Sequence, residues 1–81
     1  MEHRIGVIGI VVEDRSNAQK INSILGDHNE VIVGRMGIPY RERGVSVISL
    51  IVDGSTDEIG AMTGKLGNLK GVKVRSALVA K

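Results

Sequence analysis

Eighty-one residues is the size of one small domain, and without a cysteine the chain has neither disulfides nor thiolate metal sites to staple it, so its stability must come from burial. A composition 42% hydrophobic and 25% charged, with a single proline, excludes a collagenous, low-complexity or largely disordered chain. A net charge of +2 is too small to argue for nucleic acid by itself, and the longest apolar run, Ile5 to Val12, is far short of the roughly 18 residues that span a bilayer; a cytoplasmic protein with no membrane contact is expected.

Residues 4 to 12, RIGVIGIVV, are rich in β-branched side chains and predict a strand. The polar stretch Glu13-Asp14-Arg15-Ser16-Asn17 follows, and Ser16 with Gln19 three residues later has the form of a capping box. Ala18, Ile21, Ile24 and Leu25 then recur at helical spacing, predicting a helix that ends near Gly26 to Asn29. From Glu30 to Ile38 the pattern returns to strand, with Val31 and Val33 on one face and Ile32, Gly34, Met36 and Ile38 on the other, and Pro39 is expected to end it. After the charged turn Pro39 to Gly44, a third strand runs from Val45 to Val52. Ser55 and Glu58 form a second capping box ahead of Ile59, Met62, Leu66 and Leu69, an amphipathic helix, and Lys70-Gly71 turns into a last strand from Val72 to Val79.

The two halves repeat: Ser16 and Ser55 lie 39 positions apart and Ile5 and Val45 lie 40 apart, each in the order strand, polar turn, capping serine, helix, strand. Two such units joined by a hairpin make one domain over residues 1–81 of the α+β class. This is a ferredoxin-like βαββαβ sandwich with a four-stranded antiparallel sheet in order 4-1-3-2 and both helices on one face. The predicted central strands are the most aliphatic, and the predicted edges carry Arg35, Lys73 and Arg75, as that order requires.

Strand one offers Ile5, Val7 and Val11 to one face and Ile8, Ile10 and Val12 to the other; strand three sets Val45, Val47 and Ile51 against Ile48, Leu50 and Val52. Two helices cover one face only, so the second apolar face wants a cover. Its six aliphatic side chains, each worth roughly 1.5 to 3 kcal/mol when fully buried, predict a homo-oligomer. The expected contacts are Ile8, Ile10, Val12, Ile48 and Leu50, joined by Tyr40 in the arginine-rich hairpin.

No catalytic constellation stands out: the histidines are His3 and His28, and no serine or carboxylate pair has a base placed beside it, so neither catalytic residues, nor a metal, nor a cofactor is expected. Gly6 and Gly9 lie inside a strand rather than after one and make no nucleotide fingerprint; such glycines are expected to mark a close approach by a helix or a partner chain. Gly60, Gly64 and Gly67 form a small-residue stripe for which close packing of the second helix is expected. The hairpin holds Arg41, Arg43 and Glu42, with Arg35 close by. The two helix starts are expected to point free amides outward from the same end of the sheet, where Arg15, Ser16 and Asn17 are the candidate contacts of a small anion or amino acid, with Arg41 and Arg43.

At RIGVIGIVVEDRSNAQKINSIL and GRMGIPYRERGVSVISLIVDGSTDEIGAMTGKLGNLKGVKVRSALV, most specifically at Gly34 to Gly44, the chain resembles a family of stand-alone domains described as iron-only hydrogenase system regulators. The resemblance implies an ACT-like fold related to the C-terminal domain of nickel-responsive repressors, assembled as dimers or tetramers. Here the turn after strand one reads Glu13-Asp14-Arg15-Ser16-Asn17 where ACT domains often have Asp-x-Pro-Gly, and the histidine cluster and cysteine of the nickel-responsive domains are absent. With the first strand starting within a few residues of Met1, no DNA-reading segment and no direct nucleic-acid contact is expected. A non-enzymatic regulatory module is the first expectation, with a small-molecule effector or a regulatory protein as partner and a role in transcription through that partner. A scaffold without ligand is the alternative, and a small dimeric ferredoxin-like enzyme the third.

Overall fold

The computed structural model describes residues 2–81. It contains strands β1 (His3–Val12), β2 (Ile32–Tyr40), β3 (Val45–Ser55) and β4 (Val72–Ala80) and helices α1 (Ala18–Asp27) and α2 (Thr56–Gly67), with 3-10 turns at Arg15–Asn17, Asn29–Val31 and Arg41–Arg43. The sheet order is β2-β3-β1-β4 with every pairing antiparallel, which is 4-1-3-2 read from the other edge. This is the expected ferredoxin-like α+β sandwich.

The second capping box forms: Ser55 Oγ accepts from the Glu58 amide at 3.1 Å, and Glu58 Oε1 accepts from the Ser55 amide at 3.2 Å and from its hydroxyl at 2.9 Å. The first does not. Asp14 Oδ1 accepts instead from the Ser16 amide at 3.0 Å and from its hydroxyl at 2.7 Å, and α1 begins only at Ala18, with no side-chain bond from Asn17 at its cap. A short carboxylate reaches the amide two residues on more readily than a serine reaches its third, so Asp14 wins the turn.

Register decides which apolar face the helices take. Ile8 lies opposite Leu50 and Ile10 opposite Ile48, with Gly6 opposite Val52, so these side chains share one face. Ile8, Ile10, Val12, Leu50 and Val52 are buried there with Ile21 and Leu25 of α1, Ile59, Met62 and Leu66 of α2, and Val31 and Val72; Ile48 packs against the same cluster. The set expected to meet a second subunit is thus the core of the single chain, and the uncovered face is the other one.

Two further departures come from β2. A bulge between Ile32 and Gly34 makes Val33 the extra residue, so Ile32 packs on the core while Gly34, Met36 and Ile38 lie opposite Ile51, Ser49 and Val47 on the open face. Simple alternation had placed Ile32 with them. Pro39 does not end the strand: it pairs with Ser46, and β2 runs on to Tyr40. An edge strand has one neighbour, so a missing N–H is tolerated. At Gly6 the close approach comes from the neighbouring strand rather than from a helix or a partner chain: an added Cβ would run into the Ala77 carbonyl of β4.

Candidate functional site

Three surface features hold the chemistry. The first is the open sheet face. Val7, Val47 and Ile51 from the central strands, Met36, Ile38 and Tyr40 from β2 and Val79 from β4 are all exposed, Met36 to 62% and Ile51 to 50%. Tyr40, opposite Val45, is the one expected contact residue that lies on this face. Both faces of β1 and β3 read as aliphatic, so alternation alone could not assign the cover.

The second is at the hairpin end. Arg15, Arg41 and Gly44 line one depression of about 400 Å3, so the structure brings together two of the arginines read as anion contacts, while Arg43 is not among its walls. Gly44 turns the chain here with φ +66°, the left-handed conformation that a glycine takes without strain. Arg15 also lines a cleft of about 370 Å3 between α1 and the sheet, with Val12, Ala18, Ile21, Asn22, Ser46 and Ile48. Neither Arg15 nor Arg41 forms an ion pair, the one ion pair among the described residues being Arg4 with Glu2 at 2.7 Å. Glu42 therefore leaves its neighbouring arginines unneutralised.

Ser16 and Asn17 are otherwise engaged. The Ser16 hydroxyl donates to Asp14, whose carboxyl is held below its ordinary value by that bond and by the Ser16 amide. Asn17 is buried and its Nδ2 donates to the Lys70 carbonyl at 2.6 Å. The two helix starts do not share an end of the sheet: β1 and β3 are antiparallel, with His3 opposite Ser55, so α1 starts at one end and α2 at the other. Glu58, at the second start, is held below its ordinary value by hydrogen bonds from the backbone and side chain of Ser55.

Sequence reasoning missed Asn22 and Ser46. Asn22 sits beside Ile21 on the helix, and its carbonyl accepts from Arg35 Nη2 at 3.3 Å. Arg35 reaches it because it lies opposite Leu50 on the helix-covered side, away from Met36 and Ile38. Ser46, opposite Val12, signalled itself only as a hydroxyl in an aliphatic strand.

The third feature is the groove beside α2. Gly60, Gly64 and Gly67 line it with Val72 to Ser76 of β4, and a Cβ added at any of the three would meet nothing within 4 Å. Close packing was expected of this stripe; within the chain the glycines face open space. Among the described residues no three His, Cys, Asp or Glu side chains gather where they could hold a metal, and His28 Nε2 lies 3.0 Å from Lys65 Nζ. No helix among them is long and apolar enough to cross a membrane.

Residues 4–76 match the model of the TM1266-like family, "Iron-only hydrogenase system regulator, putative". The chain is similar to the uncharacterized protein TM1266 from Thermotoga maritima, at 39% identity over 96% of this chain and 99% of that one, with a TM-score of 0.88. It is also similar in fold to CPII from Thiomonas intermedia K12, a nitrogen regulatory PII-like protein. The form bound to ADP, AMP and bicarbonate superimposes with a TM-score of 0.54 at 14% identity, over 100% of this chain and 96% of that one. The apo form gives 0.53 at 11%, over 100% and 97%. No curated protein matches. With its family model reaching from β1 into β4 and covering both helices, and a 39% identical relative matching 96% of its length, the chain belongs to the TM1266-like family of iron-only hydrogenase system regulators.

Proposed function

We propose that the chain is a non-enzymatic, cytoplasmic regulatory module of an iron-only hydrogenase system. It works as a homo-oligomer, a dimer or tetramer, with the open sheet face of one copy packed on another, and a small ligand or a partner protein sets its state. One observation carries the reading: Val7, Met36, Ile38, Val47, Ile51 and Val79 are exposed on the sheet face that the helices leave uncovered, a largely aliphatic surface broken by Ser49 and bordered on β4 by Lys73 and Arg75. Each such side chain is worth roughly 1.5 to 3 kcal/mol when fully buried, and a patch of this kind marks an interaction surface. A second copy supplies a surface of the same chemistry, which is what an isologous contact needs. Tyr40 extends that contact toward the hairpin, and Arg15 and Arg41 are the anion contacts, with Arg43 beside them in the turn.

The family description names a regulator, and CPII, a nitrogen regulatory protein of similar fold, is described with ADP, AMP and bicarbonate bound, which supports a small effector as the input. Native mass spectrometry of the freshly purified protein and of Ile51→Arg tests the reading. A dimer or tetramer is expected for the first, and a folded monomer for the second. A monomer for both sinks the assembly.

A further inference from the structure

The cleft between α1 and the sheet is built for one kind of molecule. Its walls are the aliphatic side chains of Val12, Ala18, Ile21 and Ile48, and its polar groups are Arg15, Asn22 and Ser46 around about 370 Å3. A mostly apolar cleft of a few hundred Å3 with a few convergent polar groups is the usual form of a small-molecule site. Arg15 is a fixed cation without an ion pair among the described residues, and a guanidinium fork matches the two oxygens of a carboxylate. The Asn22 carbonyl accepts from Arg35, and the amide N–H groups of Asn22 are donors available to an acceptor in the cleft.

We infer that this cleft binds a short aliphatic monocarboxylate without an amine, its carboxylate on Arg15 and its hydrocarbon on Val12, Ala18, Ile21 and Ile48. The inference deepens the small-ligand part of the function proposed above and rests on it, but it does not depend on the number of subunits. What the walls lack sets the class. No Asp or Glu lines the cleft, so the ammonium of an α-amino acid has no counter-charge there, and desolvating it unpaired is costly. A nucleotide base has no aromatic ring to stack on, because the chain has no Phe or Trp and Tyr40 lies on the opposite face of the sheet. Arg15 is the one guanidinium among the cleft's walls, which matches a single negative charge; Arg41 faces the neighbouring depression and Arg35 is engaged with Asn22.

Isothermal titration of the full chain with isocaproate, leucine and isocaproamide separates these chemistries, since the second adds an amine to the first and the third removes its charge. Isocaproate is expected to bind at least about tenfold more tightly than either, and Arg15→Gln to weaken it by at least about tenfold. Ala18→Leu, at an exposed first helical position in the cleft wall, adds bulk to the cleft and is expected to abolish binding, while Lys65→Gln on the other helix leaves it unchanged. Absence of isocaproate binding at millimolar concentration, leucine binding as tightly, or binding that survives both Arg15→Gln and Ala18→Leu overturns the inference. An oligomer that carries some other small molecule and ignores isocaproate overturns it and leaves the regulatory reading standing. A monomer that binds isocaproate supports the cleft and sinks the assembly.

Discussion

The side-chain amide of Asn17 donates to the backbone carbonyl of Lys70 at 2.6 Å, joining the β1–α1 connection to the α2–β4 turn across 53 residues of sequence. Beside it the Glu13 amide donates to the Gly71 carbonyl at 2.7 Å, and Gly71, at φ +77°, turns with Asp14 packed where a Cβ would stand. The start of α1 is thereby latched to the turn that follows α2. Asn17→Ala leaves the Lys70 carbonyl without that donor in a part-buried site, a loss of about 1 to 3 kcal/mol. Asn17→Asp should cost at least as much, because a carboxylate offers no N–H. Urea unfolding of the three proteins checks this; equal midpoints would mean that the latch contributes nothing.

The Ser55–Glu58 box ties stability to pH. Hydrogen bonds from Ser55 hold the Glu58 carboxyl below its ordinary value of 4.5 in the folded chain, so folding favours the ionised form. The stabilisation is complete above the unfolded value and is lost as pH falls through the lowered folded one. Asp14, lowered from 3.8 by the Ser16 hydroxyl and amide, acts with the same sign further into acid. Melting temperature should therefore drop on acidification below about the ordinary carboxylate range, and Glu58→Gln should flatten the upper part of that drop. An unchanged slope in the variant would remove the box as its cause.

Most of the fold was legible because its signals are local or repeat. The 40-residue spacing of Ile5 and Val45 shows the duplication, although Ser16 is not the capping counterpart of Ser55, and the duplication implies the strand order that the pairing has. The open face was legible in its existence and misread in its identity: Ile8 and Val7 are equally aliphatic, and only long-range docking of Ile21, Leu25, Met62 and Leu66 chooses between them. In β2 the bulge at Val33 displaces Ile32 alone from the expected alternation, while Arg35 lies opposite Leu50 on the face away from Met36 as alternation gives; what the sequence hides is that this is the face the helices cover. Arg15 was found from its place after strand one, whereas the cleft it serves is made by α1 lying over β3, a contact without local signature.

Two glycines separate crowding from open space. At Gly54 an added Cβ would stand 2.6 Å from Val31 Cγ1, inside the core, so Gly54→Ala should destabilise by about 1 to 3 kcal/mol through overpacking. At Gly64, within α2 and with nothing in reach, alanine restores helix propensity and should stabilise by about 0.5 to 1 kcal/mol. Thermal unfolding of both variants reads the contrast. A destabilised Gly64→Ala would show that the groove beside β4 is occupied in the working protein.

Leu50 and Ile51 are neighbours in β3 with opposite duties. Leu50 is wholly buried beneath the helices opposite Ile8, and truncating it to alanine should cost about 2 to 5 kcal/mol at any protein concentration, because the cavity lies within one chain. Ile51, opposite Val7, is half exposed in the single chain, so its truncation removes few contacts there. If the open face is the subunit contact, the loss from Ile51→Ala must follow mass action: a melting temperature that rises with protein concentration in the parent should rise less in the variant. Melting curves at several protein concentrations for both substitutions decide the matter. A concentration-independent effect of Ile51→Ala, matching that of Leu50→Ala in form, would place the assembly surface elsewhere on the molecule.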